Sequence, residues 1–201
     1  MNLSSYADLA VRLANTAVVA PGETDPLDSA AECARSLGDC LTGPVTGRDL
    51  DVLRYLRDEL VTMFTAAASG DDQGAMDRMN ALLVQFPIHP EMTNHQDQRW
   101  HVHLAQQGSV SDQFAAGAVV AVALMVSQFG VNRLGVCAIA ACPRVFLDAS
   151  PGKSRRYCAE HAAAKGNVST LRRPSVSRPR TGKASPARAA EPERHSVPAV
   201  S

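Results

Sequence analysis

The 201-residue sequence has few aromatic side chains and no long uninterrupted apolar run. Phe, Trp and Tyr make up 4% of the residues, and the chain has a single tryptophan. The most apolar stretch, residues 114–130, is at the lower limit of the length that crosses a bilayer, and it is rich in alanine. We therefore expect a buried core helix and no membrane association. The N-terminus lacks a basic region followed by an apolar core, so no secretory signal is expected and the predicted location is cytoplasmic.

Motifs that mark common enzyme classes are also missing. The sequence contains no glycine-rich phosphate-binding loop, no metalloprotease helix motif and no nucleophile with an identifiable base. A non-enzymatic protein is therefore expected.

The formal net charge is zero, but the two ends of the chain carry opposite charges. Residues 1–130 contain 7 Lys/Arg and 16 Asp/Glu, a net charge of −9. Residues 131–201 contain 13 Lys/Arg and 4 Asp/Glu, a net charge of +9. Such asymmetry favours a polyanionic partner for the basic end, with DNA the first candidate. The alternative is that the two parts of the chain neutralise each other.

Hydrophobic spacing predicts a mainly α-helical body. Helix-start signals and apolar residues three and four apart predict helices at residues 5–20, 24–39, 46–70, 75–86 and 110–130. The last of these, being the most apolar, should be the central helix. Around Trp100 the pattern changes to alternation, which predicts a half-buried strand in a short β-hairpin with residues 89–94.

Three of the five cysteines lie within 22 residues of one another. Cys137 and Cys142 form one close pair, and Cys158 forms a second with His161, after an interval of 15 residues. In a reducing compartment, clustered cysteines bind metal more often than they form disulfides. Zinc prefers four Cys or His ligands in a tetrahedron, and two close pairs suit that geometry. We therefore predict a structural Zn2+ site, in a small zinc ribbon or finger.

Several residues are candidates for the fourth ligand. His161 is the nearest candidate, and a site with only three ligands is an alternative. The rival fourth ligands are His101, His103 and His195. The remaining cysteines, Cys33 and Cys40, are interpreted as packing residues of the helical body.

The order of residues around the cysteines is more informative than the cysteines alone. Residues 133–158 read RLGVCAIAACPRVFLDASPGKSRRYC, with an Arg-Leu pair before the first cysteine and Phe-Leu-Asp, Ser and Arg-Arg-Tyr-Cys after the second. This arrangement resembles the CGNR zinc-finger family. The body, with Asn15-Thr16 and the helix LDVLRYLRDEL, is similar to the family's N-terminal helical domain. The resemblance covers residues 3–173 and implies a stress-induced transcription regulator that binds DNA through the finger.

The signature of that family is altered in this chain. Cys-Gly-Asn-Arg is replaced by Lys165 and the three residues Gly-Asn-Val, after an interval from Cys158 that is longer than usual. A charged lysine cannot bind zinc. Either His161 replaces the missing ligand, or the site is degenerate and the module is held together by packing.

Basic side chains surround the predicted ligands and are candidates for DNA contacts. They are Arg144, Lys153, Arg155, Arg156, Lys165, Arg172 and Arg173. Arg155 and Arg156 adjoin a ligand, so we expect the more ordered contacts from them, with one of the two facing DNA. The alternative is a solvated face or pairing with the acidic body.

The predicted organisation has three parts. A helical N-terminal domain with a short β-hairpin spans residues 1–130, the zinc finger spans 131–173, and a disordered basic tail spans 174–201. A homodimer would extend the contact with DNA, and an apolar pocket among Trp100, Phe114 and the last helix is a candidate site for a small-molecule effector. The alternative function is a zinc-stabilised protein–protein interaction module that does not bind DNA.

Overall fold

A computed structural model describes residues 3–94, 100–104 and 108–163. Most of these residues are helical, as predicted. The helices are α1 (Leu3–Asn15), α2 (Ala30–Leu37), α3 (Gly47–Ser69), α4 (Asp72–Gln85) and α5 (Val110–Phe129). The strands are β1 (Glu91–Thr93), β2 (His101–His103), β3 (Leu134–Val136) and β4 (Val145–Leu147). Short 3-10 helices span Gly38–Cys40 and Val131–Arg133, and residues 159–163 are helical.

The two longest helices begin at capping boxes. The Thr46 side chain accepts a hydrogen bond from the Asp49 backbone N–H, and the Asp49 carboxylate accepts one from the Thr46 backbone. Ser109 and Asp112 form the same reciprocal pair at the start of α5. Gly70, with a φ of +89°, terminates α3 in the left-handed conformation that glycine adopts without steric cost. These local signals explain why both helices begin where the sequence predicts.

Helix α5 is the central helix of the body, as predicted, and it contacts α1, α3 and α4. Its small residues allow the neighbouring helices to approach closely. At Gly117 an added Cβ would lie 2.6 Å from the ring of Tyr6 in α1. Although α5 is long and apolar enough to span a membrane, 67% of its apolar window is buried inside the protein. It is therefore a core helix.

A buried carboxylate joins the start of α3 to the start of α5. Asp49 is 2% exposed, and its Oδ1 accepts hydrogen bonds from the backbone N–H of Ser111 at 3.0 Å and from the Ser111 hydroxyl at 2.8 Å. Its Oδ2 accepts from the backbone N–H of Thr46 at 2.9 Å. Burial raises the pKa of Asp49, but the hydrogen bonds from Thr46 and Ser111 outweigh it and hold the pKa far below its ordinary value.

The predicted β-hairpin is present, with Met92 of β1 opposite Val102 of β2. The prediction that its second strand is half-buried is wrong, because Val102 is exposed and Trp100 is 66% exposed. The alternating pattern identified the strand correctly, but two of its apolar side chains lie on the surface. Phe114, by contrast, is buried in the core. An effector pocket shared by Trp100 and Phe114 is therefore not supported.

The β3–β4 pair packs directly on the helical body. Strand β3 contacts α3, and strand β4 contacts α1. Leu134, Val145 and Leu147 belong to the same hydrophobic core as the helices. The side chain of Asn15, the last residue of α1, donates to the carbonyl of Val145 at 3.0 Å and accepts from its backbone N–H at 2.8 Å. The division into domains 1–130 and 131–173 stays a prediction, and the two regions share one core.

Several sequence predictions fall outside the described residues. These are the tail at 174–201, the rival ligand His195 and the candidate DNA contacts Lys165, Arg172 and Arg173. The side chains of His101 and His103 are also outside the described part of the chain.

Candidate metal centre

The structure brings together Cys137, Cys142, Cys158 and His161. Their four potential ligand atoms all lie within 4.8 Å of one another. Nδ1 of His161 is 3.3 Å from Sγ of Cys137 and 3.4 Å from Sγ of Cys158. The Sγ atoms of Cys142 and Cys158 are 4.0 Å apart. The two pairs that are separate in sequence thus form one cluster.

These separations fit a tetrahedral zinc site. With Zn–S bonds of about 2.3 Å and Zn–N bonds of about 2.05 Å, tetrahedral angles place two sulfurs about 3.8 Å apart and a sulfur and a nitrogen about 3.6 Å apart. Three sulfurs and one imidazole nitrogen also form a donor set that zinc prefers. Four protein ligands leave no coordination position open, which is typical of a structural site. The cluster of three cysteines and His161 therefore fits Zn2+.

Each ligand pair is positioned by its own turn. The backbone N–H of Cys137 donates to the carbonyl of Arg144 at 2.9 Å, which extends the β3–β4 pairing up to the first ligand. The N–H of Cys142 donates to the carbonyl of Ile139 at 2.8 Å and closes the turn that carries the first pair. Cys158 and His161 are three residues apart at the start of helix 159–163, so that their side chains share one face.

Hydrogen bonds within the cluster change the acidity of its thiols. Burial raises the pKa of Cys137, but the backbone N–H groups of Cys158 and Ile139 and the side chains of His161 and Cys142 lower it to about 6. Burial and the neighbouring thiols Cys137 and Cys158 raise the pKa of Cys142. Because zinc binds thiolates, metal binding at this centre should release protons.

Asp148 organises the loop between β4 and the second ligand pair, a role that the sequence analysis missed. It is buried, and its carboxylate accepts hydrogen bonds from the backbone N–H groups of Ser150 at 2.8 Å and Arg155 at 3.0 Å. Arg133 donates to the carbonyls of Asp148 at 3.3 Å and Ser150 at 2.5 Å. Burial raises the pKa of Asp148, but the hydrogen bonds outweigh it and keep the pKa below its usual value. Arg133 and Asp148 both belong to the quoted family pattern, which was the available signal.

Two of the candidate DNA-contacting arginines have partners within the module. The Arg155 side chain donates to the carbonyls of Tyr157 at 3.1 Å and Leu147 at 3.2 Å, and its guanidinium lies 5.4 Å from the centre of the Phe146 ring. Arg144 forms an ion pair with Glu160 at 3.1 Å. Their roles as DNA contacts stay predictions, and both side chains also contribute to the fold of the module.

A shallow cleft connects the zinc module with the last turn of α3. It has a volume of about 340 Å³ and is lined by Arg155 and Arg156, together with Asn132, Phe146 and other, mostly apolar, residues. The described lining contains no carboxylate. Arg156 and Lys153 are both exposed. The cleft is therefore a cationic surface beside the candidate metal centre, within a chain whose first 130 residues are acidic.

A helical body that shares its core with the strands of a small module carrying a Cys3His cluster is typical of a protein with a structural zinc finger, and comparisons with known proteins agree. The family model ABATE, described as "Putative stress-induced transcription regulator", matches residues 7–128. The model of the CGNR zinc finger matches residues 133–173. The chain belongs to the ABATE family, with a CGNR zinc finger after the helical domain, which confirms the resemblance found in the sequence. A search of curated proteins found no match.

Proposed function

We propose that this protein regulates transcription by binding duplex DNA with its zinc module and the adjoining cleft. The observation that carries the proposal is the cleft, because Arg155 and Arg156 line it and no carboxylate does among the described residues. Cationic surfaces of this kind bind nucleic acid through the phosphate backbone. The membership of the ABATE family supports the same function.

Arg156 is the best candidate for a direct phosphate contact. Its side chain is exposed, and its backbone carbonyl accepts a hydrogen bond from the N–H of Ala138 at 2.9 Å. That bond holds the backbone of Arg156 close to both ligand pairs. Arg155 would instead stabilise the wall of the cleft, since its guanidinium donates hydrogen bonds to backbone carbonyls of the module. The two adjacent arginines would thus have different roles.

Zinc, when bound, would supply a cross-link between the turn that carries Cys137 and Cys142 and the helix that carries His161. That helix is the last element before residues 164–173, which include three of the predicted DNA contacts. Fixing the helix therefore fixes the point from which those residues start. The metal would have a structural role in this function, and we propose no catalytic activity.

The experiment is a fluorescence anisotropy titration of a random-sequence duplex with the zinc-loaded protein, between about 50 and about 200 mM salt. We expect the logarithm of the affinity to fall linearly with the logarithm of the salt concentration. Arg156→Ala should weaken binding and reduce the slope by about 0.9, the value of one phosphate contact. The matched control is Arg48→Ala, which removes an exposed arginine at the start of α3.

Absence of binding at the lowest salt concentration would refute the proposal and would favour the alternative of an acidic protein partner. Equal slopes for the Arg156 and Arg48 variants would refute the assigned surface. We expect the protein to act in the cytoplasm. We also expect the active form to be a homodimer, because two modules would contact successive half-sites. The stoichiometry of the same titration would test the dimer.

A further inference from the structure

The outer sides of α3 and α4 form a second and larger groove. Its volume is about 860 Å³. Apolar side chains line it, among them Val61 and Ala81, together with the exposed ring of Tyr55. Unlike the cleft beside the metal centre, this groove contains carboxylates, those of Glu59, Asp71 and Asp77. We call it the α3–α4 groove.

The negative charge of the α3–α4 groove is only partly compensated. The described lining contains one cationic residue, Arg78, and it forms an ion pair with Glu59 at 2.8 Å. The Asp71 carboxylate accepts a hydrogen bond from the backbone N–H of Gly74 at 2.9 Å, and the Asp77 carboxylate accepts one from the amide of Gln73 at 2.8 Å. These last two partners are neutral. A cationic chain with some apolar surface therefore matches this groove.

The chain itself contains such a segment beyond the described residues. Residues 164–190 contain seven Lys/Arg and no Asp/Glu. Five of these basic residues lie within residues 172–183, which also include two prolines. Proline favours extended backbone, and an extended segment can be bound along a groove between two helices. The charges of the segment and of the groove are complementary.

The segment can also reach the groove. The described chain ends at residue 163, in the helix that carries His161. The metal-side cleft and the α3–α4 groove share the last turn of α3, because Ala67 and Ala68 line the cleft while Ala66 and Ser69 line the groove. Nine residues from 163 to 172 can span about 30 Å when extended. The α3 residues that line the groove run from Tyr55 to Ser69, about 21 Å of helix, so the segment can reach all of the groove.

We propose that residues 172–183 of this chain dock in the α3–α4 groove, with their basic side chains paired to Glu59, Asp71 and Asp77. The docking does not depend on the proposed function, but its consequence does. Arg172 and Arg173 are predicted DNA contacts, so DNA and the acidic groove compete for the same residues. The helical body then lowers the affinity of the protein for DNA until the segment is released.

The test is zero-length cross-linking of the full, zinc-loaded chain with a water-soluble carbodiimide, followed by mass spectrometry. The reagent joins a carboxylate to an amine, and Lys183 is the only lysine in the segment. We expect Lys183 to be linked to Glu59, Asp71 or Asp77 within the monomer, with a yield that falls as salt is added. The double variant Glu59→Gln with Asp77→Asn should lose most of the product.

The matched control is Asp51→Asn, which removes an exposed α3 carboxylate outside the groove lining, paired with Arg54. It should leave the cross-link unchanged. Links from Lys183 to carboxylates all over the body, links only between two molecules, or full yield in the double variant would each overturn the docking.

DNA titrations separate the docking from its consequence. If the docked fraction is about 0.9, the double variant should bind random duplex DNA about tenfold more tightly than the wild type, and Asp51→Asn should not. A correct cross-link with equal DNA affinity in the double variant would overturn the competition. A correct cross-link in a protein that binds no DNA would refute the proposed function alone.

Discussion

Asn15 provides the most direct test of how the zinc module is attached to the helical body. Its side-chain amide makes both hydrogen bonds of the Val145 backbone, at 3.0 and 2.8 Å. Val145 itself is buried. The change Asn15→Ala therefore removes two hydrogen bonds and leaves the N–H and the carbonyl of a buried strand residue without these partners.

The expected cost follows from those two groups. A hydrogen bond contributes about 1 kcal/mol to stability, and a buried backbone group left unpaired costs about 1–3 kcal/mol. Because Asn15 is at the end of α1, water can reach part of the site, so the lower end applies to each group. We expect Asn15→Ala to lower the free energy of unfolding by about 2–4 kcal/mol.

Urea denaturation of the zinc-loaded protein, followed by circular dichroism, measures this loss. Asn80→Ala is the control, because Asn80 is exposed on α4 and alanine there should be neutral or slightly stabilising. Zinc release should follow the same unfolding curve, since β4 belongs to the common core. A loss below about 1 kcal/mol, or zinc release well before the helices unfold, would refute the reasoning.

Three further predictions concern the centre and the core. His161→Ala should weaken zinc binding by at least about 100-fold, measured by elemental analysis and chelator competition. His161→Cys should retain the metal. Zinc retained fully in the alanine variant would point to another fourth ligand. Gly117→Ala should lower the free energy of unfolding by about 1–3 kcal/mol, because the new Cβ would lie 2.6 Å from the Tyr6 ring; an unchanged urea midpoint would contradict this packing. The pKa of Asp49 is lower in the folded than in the unfolded chain, so its stabilisation is complete above about pH 5 and is lost as the pH falls through the folded pKa. Denaturation curves at several pH values should therefore show a weaker acid dependence for Asp49→Asn than for the wild type.

The sequence predicted five helices and the metal cluster because both depend on local patterns. Two helices are shorter than predicted, since α1 ends at Asn15 and α2 spans only Ala30–Leu37. The capping boxes at Thr46 and Ser109 and the left-handed Gly70 define helix ends within a few residues of chain. The ligands occur as two close pairs, so each pair needs only one turn to form. Zinc chemistry then limits how the pairs can combine. His161 was the candidate fourth ligand nearest to Cys158 in sequence, and the structure places it in the cluster.

Longer-range features were not predicted. Alternation around Trp100 identified a strand but could not show whether another layer covers it, and in the structure Trp100 and Val102 are exposed. Asn15 and Asp148 hold backbone groups, and nothing in the identity of an asparagine or an aspartate shows which distant backbone it will meet. Likewise, two adjacent arginines look alike in sequence, while the structure gives Arg155 carbonyl partners and leaves Arg156 exposed.

The shared core has a consequence for how the metal centre and the body influence each other. Leu134, Val145 and Leu147 pack with the helices, so the module cannot lose its structure without exposing part of the main core. Zinc that binds only the folded module therefore stabilises the whole chain, by an amount that grows with the logarithm of the zinc concentration above its dissociation constant. The linkage is reciprocal: if a partner bound at α1 changes the affinity for zinc by some factor, zinc changes the affinity for that partner by the same factor. In this fold a change in the helical body can reach the zinc module, because Asn15 at the end of α1 holds strand β4 through two hydrogen bonds.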